Sequence, residues 1–525
     1  MKFFIILFFS LTCLPLQAQN INWEKLDMDN AFGYTSTVDS QNDVIVVASG
    51  PFETQATTMY VRKYDVNGNL LMQTSVDAMD LAGGNSDNLL PYQVETDSQD
   101  NIIIAGVNAI INTSPSSSCQ TPPCYQTIAA KIIKLAPDGQ LIFNKTLLDH
   151  SNLFDQLLVD DNYLAIDSND NIYYTGVGSI TDTSNETAFG TILVKLAPDG
   201  TTLFTDVEDI VGSGNSISSG LMALGQNFVA VVNSTTFDEE LTAWDDDGNV
   251  LWNINLDNNI DKFRAIVVDP ATNDTYVLAE AFPPNPILTK IDSNGNILYT
   301  QTYSLGETAV TKGLGFVEAN KLVFGATSWS DAGTNSSLYT KVINTSDGST
   351  FSDQTHTLAQ NLSRIRDFET NQNNGTYYVA VISTTNAGLP ASGTFHGYDL
   401  NGGEWHATNP SVRVRSIAIG QGSEVYVMTD NVWDLYQYNT TLSNQFFTDL
   451  DFKIYPNPVK NDLFVNTAMK LDSVKIYDAL GRQILVVRAI ENDKPIPLSS
   501  LETGVYFAKF IMQNGDFQTQ KIVKR

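Results

Sequence analysis

The chain has 525 residues, 42% of them hydrophobic and 10% aromatic, and 59 Asp and Glu against 29 Lys and Arg give it a formal charge of −30. That apolar content excludes wholesale disorder, and 34 Gly with 18 Pro excludes a collagen-like or low-complexity chain. Phosphate backbones are held by clustered Lys and Arg that displace counterions, so a chain this acidic excludes DNA and RNA as partners.

At the N-terminus, Lys2 is followed by an apolar run over 3–16 and then by Gln17, Ala18 and Gln19. This reads as a secretory signal peptide over 1–18, cut after Ala18. The run is too short to anchor, and no later stretch approaches the roughly 20 apolar residues of a transmembrane helix, so no transmembrane anchor is expected. Cys13 leaves a lipoprotein reading open, although Leu11 and Thr12 are not the small residues usual before a lipidated cysteine. Cys119 and Cys124, in a Ser- and Pro-rich stretch, then read as one local disulfide of an exported protein, with a metal or redox site as the alternative.

The body repeats a pair of hairpins. The first turns at Asp-Ser-x-x-Asn or Asp, beginning at Asp39, Asp97 and Asp167, with looser copies near 223, 268, 317, 369 and 418. The second turns at Asp-x-x-Gly or Pro-Asp-Gly, ending at Gly68, Gly139, Gly200, Gly248 and Gly295, with weaker forms at 342–348, 398–402 and 436–447. Asn-Gly and Asp-Gly accept the positive φ of tight hairpins, and the flanking Val, Ile, Leu and Tyr suit half-buried strands. Two hairpins make four strands, so the reading is all-β, a β-propeller of four-stranded blades over 19–450, with eight blades favoured over seven. The segment around Trp23 matches the last strand around Trp252 and is expected to close the ring against the final blade. The repeats around Asp167 to Gly176 and Val194 to Gly200 resemble the β-propeller repeats of exported bacterial surface proteins, which implies the fold and little about activity.

Beyond about 450 the balance changes: residues 451–525 hold 11 Lys and Arg against 8 Asp and Glu. Six or seven short strands there predict a small Ig-like β-sandwich. Tyr455-Pro456-Asn457-Pro458, then Tyr477, Asp478, Gly481 and Arg482, then Gly504 and Tyr506, and finally Lys521 near the end form four ordered motifs. This segment resembles the C-terminal sorting domain of proteins exported by the type IX secretion system of Bacteroidetes-type bacteria. The resemblance implies passage to the periplasm and recognition by the outer-membrane machinery. It also implies removal of the domain, with release or attachment to surface lipopolysaccharide. From the residues alone, Gly481 reads equally as a hairpin glycine and Arg482 as a solvated strand end.

Candidate chemistry is sparse. Asp39, Asp97, Asp167 and Asp269 recur at one blade position and are expected to hold turns through backbone N–H groups. The turns at Asp65, Asp245 and Asp292 resemble the start of a calcium loop but lack its closing glutamate, so they read as hairpins, with an incidental calcium ion as the alternative and no cofactor expected. His396, Glu404 and His406 flank one turn, and that hairpin would bring His396 opposite His406 with a carboxylate nearby, a set able to hold zinc. Nucleophile, P-loop, dinucleotide and zinc-protease motifs are missing. Two functions therefore stand: a non-catalytic binding or adhesion propeller for a glycan, peptide or surface partner, or a polysaccharide-acting hydrolase or lyase with paired carboxylates and a funnel lined by Trp244, Trp252, Trp329, Trp405 and Trp433.

Overall fold

The computed structural model describes residues 21–26, 31–50, 58–77, 88–112, 124–149, 163–181, 187–209, 219–234, 239–256, 260–281, 285–305, 309–329, 336–358, 362–384, 390–400, 403–409, 414–422, 424–429, 433–439, 453–466, 471–478, 483–488, 494–512 and 517–525. All regular elements among them are strands. The chain divides into two compact units, Gln19–Thr441 and a second that holds Leu442–Arg525. The signal peptide expected over 1–18 lies outside the described residues.

In the first unit the strands form eight four-stranded antiparallel sheets. Blade 1 runs from Phe32–Val38 to Leu70–Asp77, blade 2 from Asn88–Thr96 to Leu141–Asp149, and blade 3 from Leu164–Ile166 to Thr202–Asp209. Blade 4 runs from Ser219–Gly225 to Val250–Asn255 and blade 5 from Ile260–Val268 to Ile297–Thr302. Blade 6 runs from Ala309–Glu318 to Thr350–Leu358 and blade 7 from Leu362–Asn371 to Glu404–Asn409. Blade 8 takes three strands from Val414–Ile419, Glu424–Thr429 and Leu435–Asn439, and its fourth, Ile21–Lys25, from the start of the chain. The first strand of each blade packs on the first strand of the next, and that of blade 8 on that of blade 1, so the sheets close into a β-propeller.

Three recurring devices join the blades, and each uses the repeat residues. The turn between the first two strands holds a residue at positive φ: Asn42, Asp100, Asp170, Asn227 and Asn273 lie at 60–65°. Asn and Asp tolerate this region because their short polar side chains bond locally. Here several of these side chains reach instead to the preceding blade. Asp100 accepts from Ser40 N and Oγ at 2.9 and 2.8 Å, and Asp170 from Ser98 N and Oγ at 2.8 Å each. Asn273 accepts from Gln226 N, and Asn42 accepts from Gln421 N across the point of closure.

The second device lies on the outer strands. In six blades the glycine of the turn between the third and fourth strands covers a large side chain on the fourth strand of the preceding blade. A Cβ on Gly295 would lie 2.9 Å from Trp252 Cγ, and one on Gly68 would lie 2.8 Å from Trp23. Gly139 meets Met72, Gly200 meets Phe143, Gly248 meets Phe204 and Gly348 meets Tyr299 in the same way. Glycine is required twice over, for the positive φ of +82° at Gly295 and for the close approach. The two tryptophans also donate to the covering turn, Trp23 Nε1 to Val66 O at 3.0 Å and Trp252 Nε1 to Ser293 O at 3.1 Å.

The third device is a lysine on the third strand whose side chain is mostly covered. Lys134 Nζ lies 2.8 Å from Asp97 of its own blade and donates to Pro198 O of the next at 2.9 Å. Lys290 likewise bridges Asp274 at 2.9 Å and Thr345 O at 3.2 Å, and Lys63 pairs with Asp39.

The second unit holds a three-stranded sheet, Lys453–Tyr455, Asp462–Asn466 and Ile496–Pro497, and a four-stranded sheet, in the order Gln483–Arg488, Leu471–Asp478, Gly504–Met512 and Phe517–Lys524. Val459, Leu463, Val465, Val474, Ile476, Leu498, Phe510 and Ile522 form one core between them.

Candidate functional site

The acidic residues of the ring are the first place to look for chemistry. Six of its described Asp and Glu are buried: Asp39, Asp97, Asp269, Glu280, Asp367 and Asp434. Asp97 Oδ1 accepts from Gln99 N and Asn101 N at 3.0 and 2.9 Å, Asp39 Oδ1 from Gln41 N and Asp43 N, and Asp269 Oδ1 from Ala271 N. Glu280 of blade 5 pairs with Arg264 Nη2 at 2.7 Å and accepts from the Thr311 hydroxyl of blade 6 at 2.8 Å. Asp367 of blade 7 accepts from Ile417 N of blade 8 at 2.6 Å, and Asp434 accepts from the Tyr436 hydroxyl at 3.2 Å. Each of these carboxylates holds a turn, a strand or a blade seam.

The turn aspartates behave as hairpin residues. Asp65 Oδ1 accepts from Asn67 N and Asn69 N at 2.8 Å, and its Oδ2 accepts from the Asn69 side chain. These bonds, led by the Asn69 side chain, hold the Asp65 carboxyl below the usual carboxylate range, and Asn249 and Asn296 do the same for Asp245 and Asp292. Nor do the tryptophans with described side chains line a funnel. Trp244 and Trp433 are buried, and Trp252 is spent on the seam with blade 5's own turn. The side chains of Trp329 and Trp405 lie outside the described residues.

One cluster breaks the repeat pattern, at the seam between blades 6 and 7. The backbone register of blade 7 pairs His396 with His406 and Tyr398 with Glu404, and the His406 side chain lies outside the described residues. His396 is fully buried, and its Nε2 lies 3.0 Å from Thr394 Oγ1. Alternation along the strand puts His396 and Tyr398 on one face, where their rings stack with centroids 6.3 Å apart, and Tyr398 stacks on Tyr377 at 5.1 Å. Burial pushes the Tyr398 hydroxyl up, and the Glu404 carboxylate adds to the shift. His356, on the outer strand of blade 6, meets His396 edge to face at 4.7 Å.

His356 Nδ1 lies 2.8 Å from Glu404 Oε1, and His396 Nδ1 lies 4.0 Å from the same oxygen. Sequence reasoning missed His356, because it sits in a different repeat. The signal was positional: register places Ser352 of blade 6 where other blades carry the large staple side chain, and Glu404 where they carry an exposed Leu70, Leu141, Val250 or Ile297.

In the second unit, Tyr455 stacks on Phe464 at 5.7 Å, and the peptide bonds before Pro456 and Pro458 are cis. Asn457 lies between them and clasps the last strand: its Nδ2 donates to Lys521 O at 2.7 Å, and its Oδ1 accepts from Val523 N at 2.9 Å. Tyr506 donates to Glu502 O beside Gly504, while Tyr477 and Asp478 pair with Phe507 and Tyr506 across the sheet. Lys521 is exposed. Gly481 and Arg482 lie outside the described residues, as does Cys119, so the expected Cys119 to Cys124 bridge falls there too.

Residues 453–525 match the family of secretion system C-terminal sorting domains. The tail is therefore a sorting domain that engages the type IX secretion machinery, and the chain is exported to the cell surface or extracellular space. No helix among the described residues is long and apolar enough to cross a membrane. No curated protein matches the chain. Among solved structures it is similar to the WD40 domain of SCAP from fission yeast, at 8% identity and a TM-score of 0.41, covering 80% of this chain and 98% of that one. It is similar to the BP39L lectin from Burkholderia pseudomallei at 8% identity and 0.40, covering 74% and 99%. An ulvan lyase, a polysaccharide lyase, matches at 11% identity and 0.42, covering 79% and 94%.

Proposed function

We propose that the ring, residues 19–450, is a non-catalytic binding or adhesion module for a glycan, peptide or surface partner, and that the tail, residues 451–525, is its export signal. The observation that carries this reading is the use of the ring's buried carboxylates among the described residues, each of which holds a turn, a strand or a seam. A hydrolase or lyase needs carboxylates held for a substrate.

Topology supports a place for the ligand. In a four-stranded meander the turns between strands one and two and between three and four share one end of the ring, and among the described residues those turns are short and repeated, with several of the first kind bonded to the next blade's. The opposite end carries the connections between strands two and three and between blades, and these differ in length. Blade 2 ends at Asp149 and blade 3 begins at Leu164, while blade 4 ends at Asn255 and blade 5 begins at Ile260. Variable connections on a rigid scaffold are where recognition resides. After removal of the tail, the ring is released or attached to surface lipopolysaccharide.

The test is a glycan and peptide array probed with the full-length chain, paired with product analysis of the glycans it retains. Retention without cleavage, lost when residues 150–162 are replaced by a Gly-Ser linker and kept in Asp245→Asn, supports the reading. Turnover of a retained polysaccharide overturns it in favour of the lyase or hydrolase alternative.

A further inference from the structure

We propose that His356, His396 and Glu404 bind one zinc ion across the seam between blades 6 and 7. One ligand atom from each lies within 4.8 Å of the other two. The carboxylate oxygen sits 2.8 Å from one imidazole nitrogen and 4.0 Å from the other. A tetrahedral zinc with bonds of about 2.0–2.1 Å sets its ligands ~3.3 Å apart, so the three atoms need only small side-chain shifts. Two imidazoles and one carboxylate form a donor set for a borderline cation, whereas calcium and magnesium take oxygen ligands.

The surroundings have the second layer that a histidine ligand requires. With His396 bound through Nδ1, its Nε2–H donates to Thr394 Oγ1 at 3.0 Å, which fixes the tautomer and the ring's orientation. The stack on Tyr398 and Tyr377 holds the same ring from its face. His356 and Glu404 have side chains 27% and 30% exposed, which gives the ion a route in and leaves water the fourth position. The seam also lacks its usual staple, since Ser352 replaces the large side chain that other blades place under a glycine turn. Zinc joins blade 6 to blade 7 farther along the same outer strand, four residues from Ser352.

Zinc titration of the full-length chain by calorimetry, with the thermal midpoint read with and without EDTA, tests the assignment. One zinc per chain is expected, with a midpoint that EDTA lowers. Thr394→Val should weaken binding by about 10–100-fold by freeing the His396 ring, and His356→Ala and Glu404→Gln should weaken it further while leaving the midpoint of the zinc-free chain near that of the parent. His356→Ala and Glu404→Gln lie on the exposed side of the seam, so their effect separates ligation from folding. Absence of stoichiometric zinc in the parent chain, or unchanged affinity in His356→Ala, overturns the proposal.

Discussion

Lys134 shows what a single repeat residue does. Its ammonium and the Asp97 carboxylate have side chains only 3% and 1% exposed, and the same ammonium holds Pro198 O of the next blade. Removing one member of a buried pair leaves an uncompensated charge, so Lys134→Met is expected to cost about 3–5 kcal/mol. Asp97→Asn keeps acceptors for Gln99 N and Asn101 N while removing the charge. The double variant should therefore be more stable than Lys134→Met alone, as read from urea midpoints. Asp65, Asp245 and Asp292 bear on pH at the same scale. Their carboxyls titrate below the usual range in the fold, so their contribution is present above the unfolded value of about 4 and is lost as pH falls through the lower folded value. The thermal midpoint should fall below about pH 4, less steeply in the triple Asp→Asn variant. Asp43, raised first by burial and then by Asp39, acts in the opposite sense.

At the scale of elements, the second hairpins were legible because their chemistry is local. Positive φ at Gly68, Gly139, Gly200, Gly248 and Gly295 can be read from the turn sequence itself. What each glycine covers was not legible, because Trp23, Met72, Phe143, Phe204 and Trp252 belong to the preceding blade and differ in type. His356 escaped for the same reason: its alignment with His396 exists only after two sheets pack. In the tail, the short strand Ile496–Pro497 was also unforeseen, since two residues paired to Asp462 and Leu463 leave no periodicity. Gly295→Ala combines a φ of +82° with a clash on Trp252 and should cost about 1–3 kcal/mol by thermal midpoint. Trp23→Ala removes the matching contact where the ring's two ends meet, so hydrogen exchange should quicken in blades 1 and 8 before the other blades, with Trp252→Ala quickening blades 4 and 5 instead.

For the whole molecule, composition and repeats carried the fold class, and four ordered tail motifs carried the destination. The ligand did not follow, because the repeated residues are those spent on holding the ring, and the connections that vary have no pattern to read. Export is the claim on which the rest depends, since it makes the ring a cargo and the tail its address. Its most direct measurement is the location, in the native host, of the full-length chain and of a chain ending at Asn439, by fractionation and quantitative mass spectrometry. The account predicts the full-length product at the surface or in the medium and the truncated ring held in the periplasm. Equal delivery of the truncated ring to the outside would contradict it.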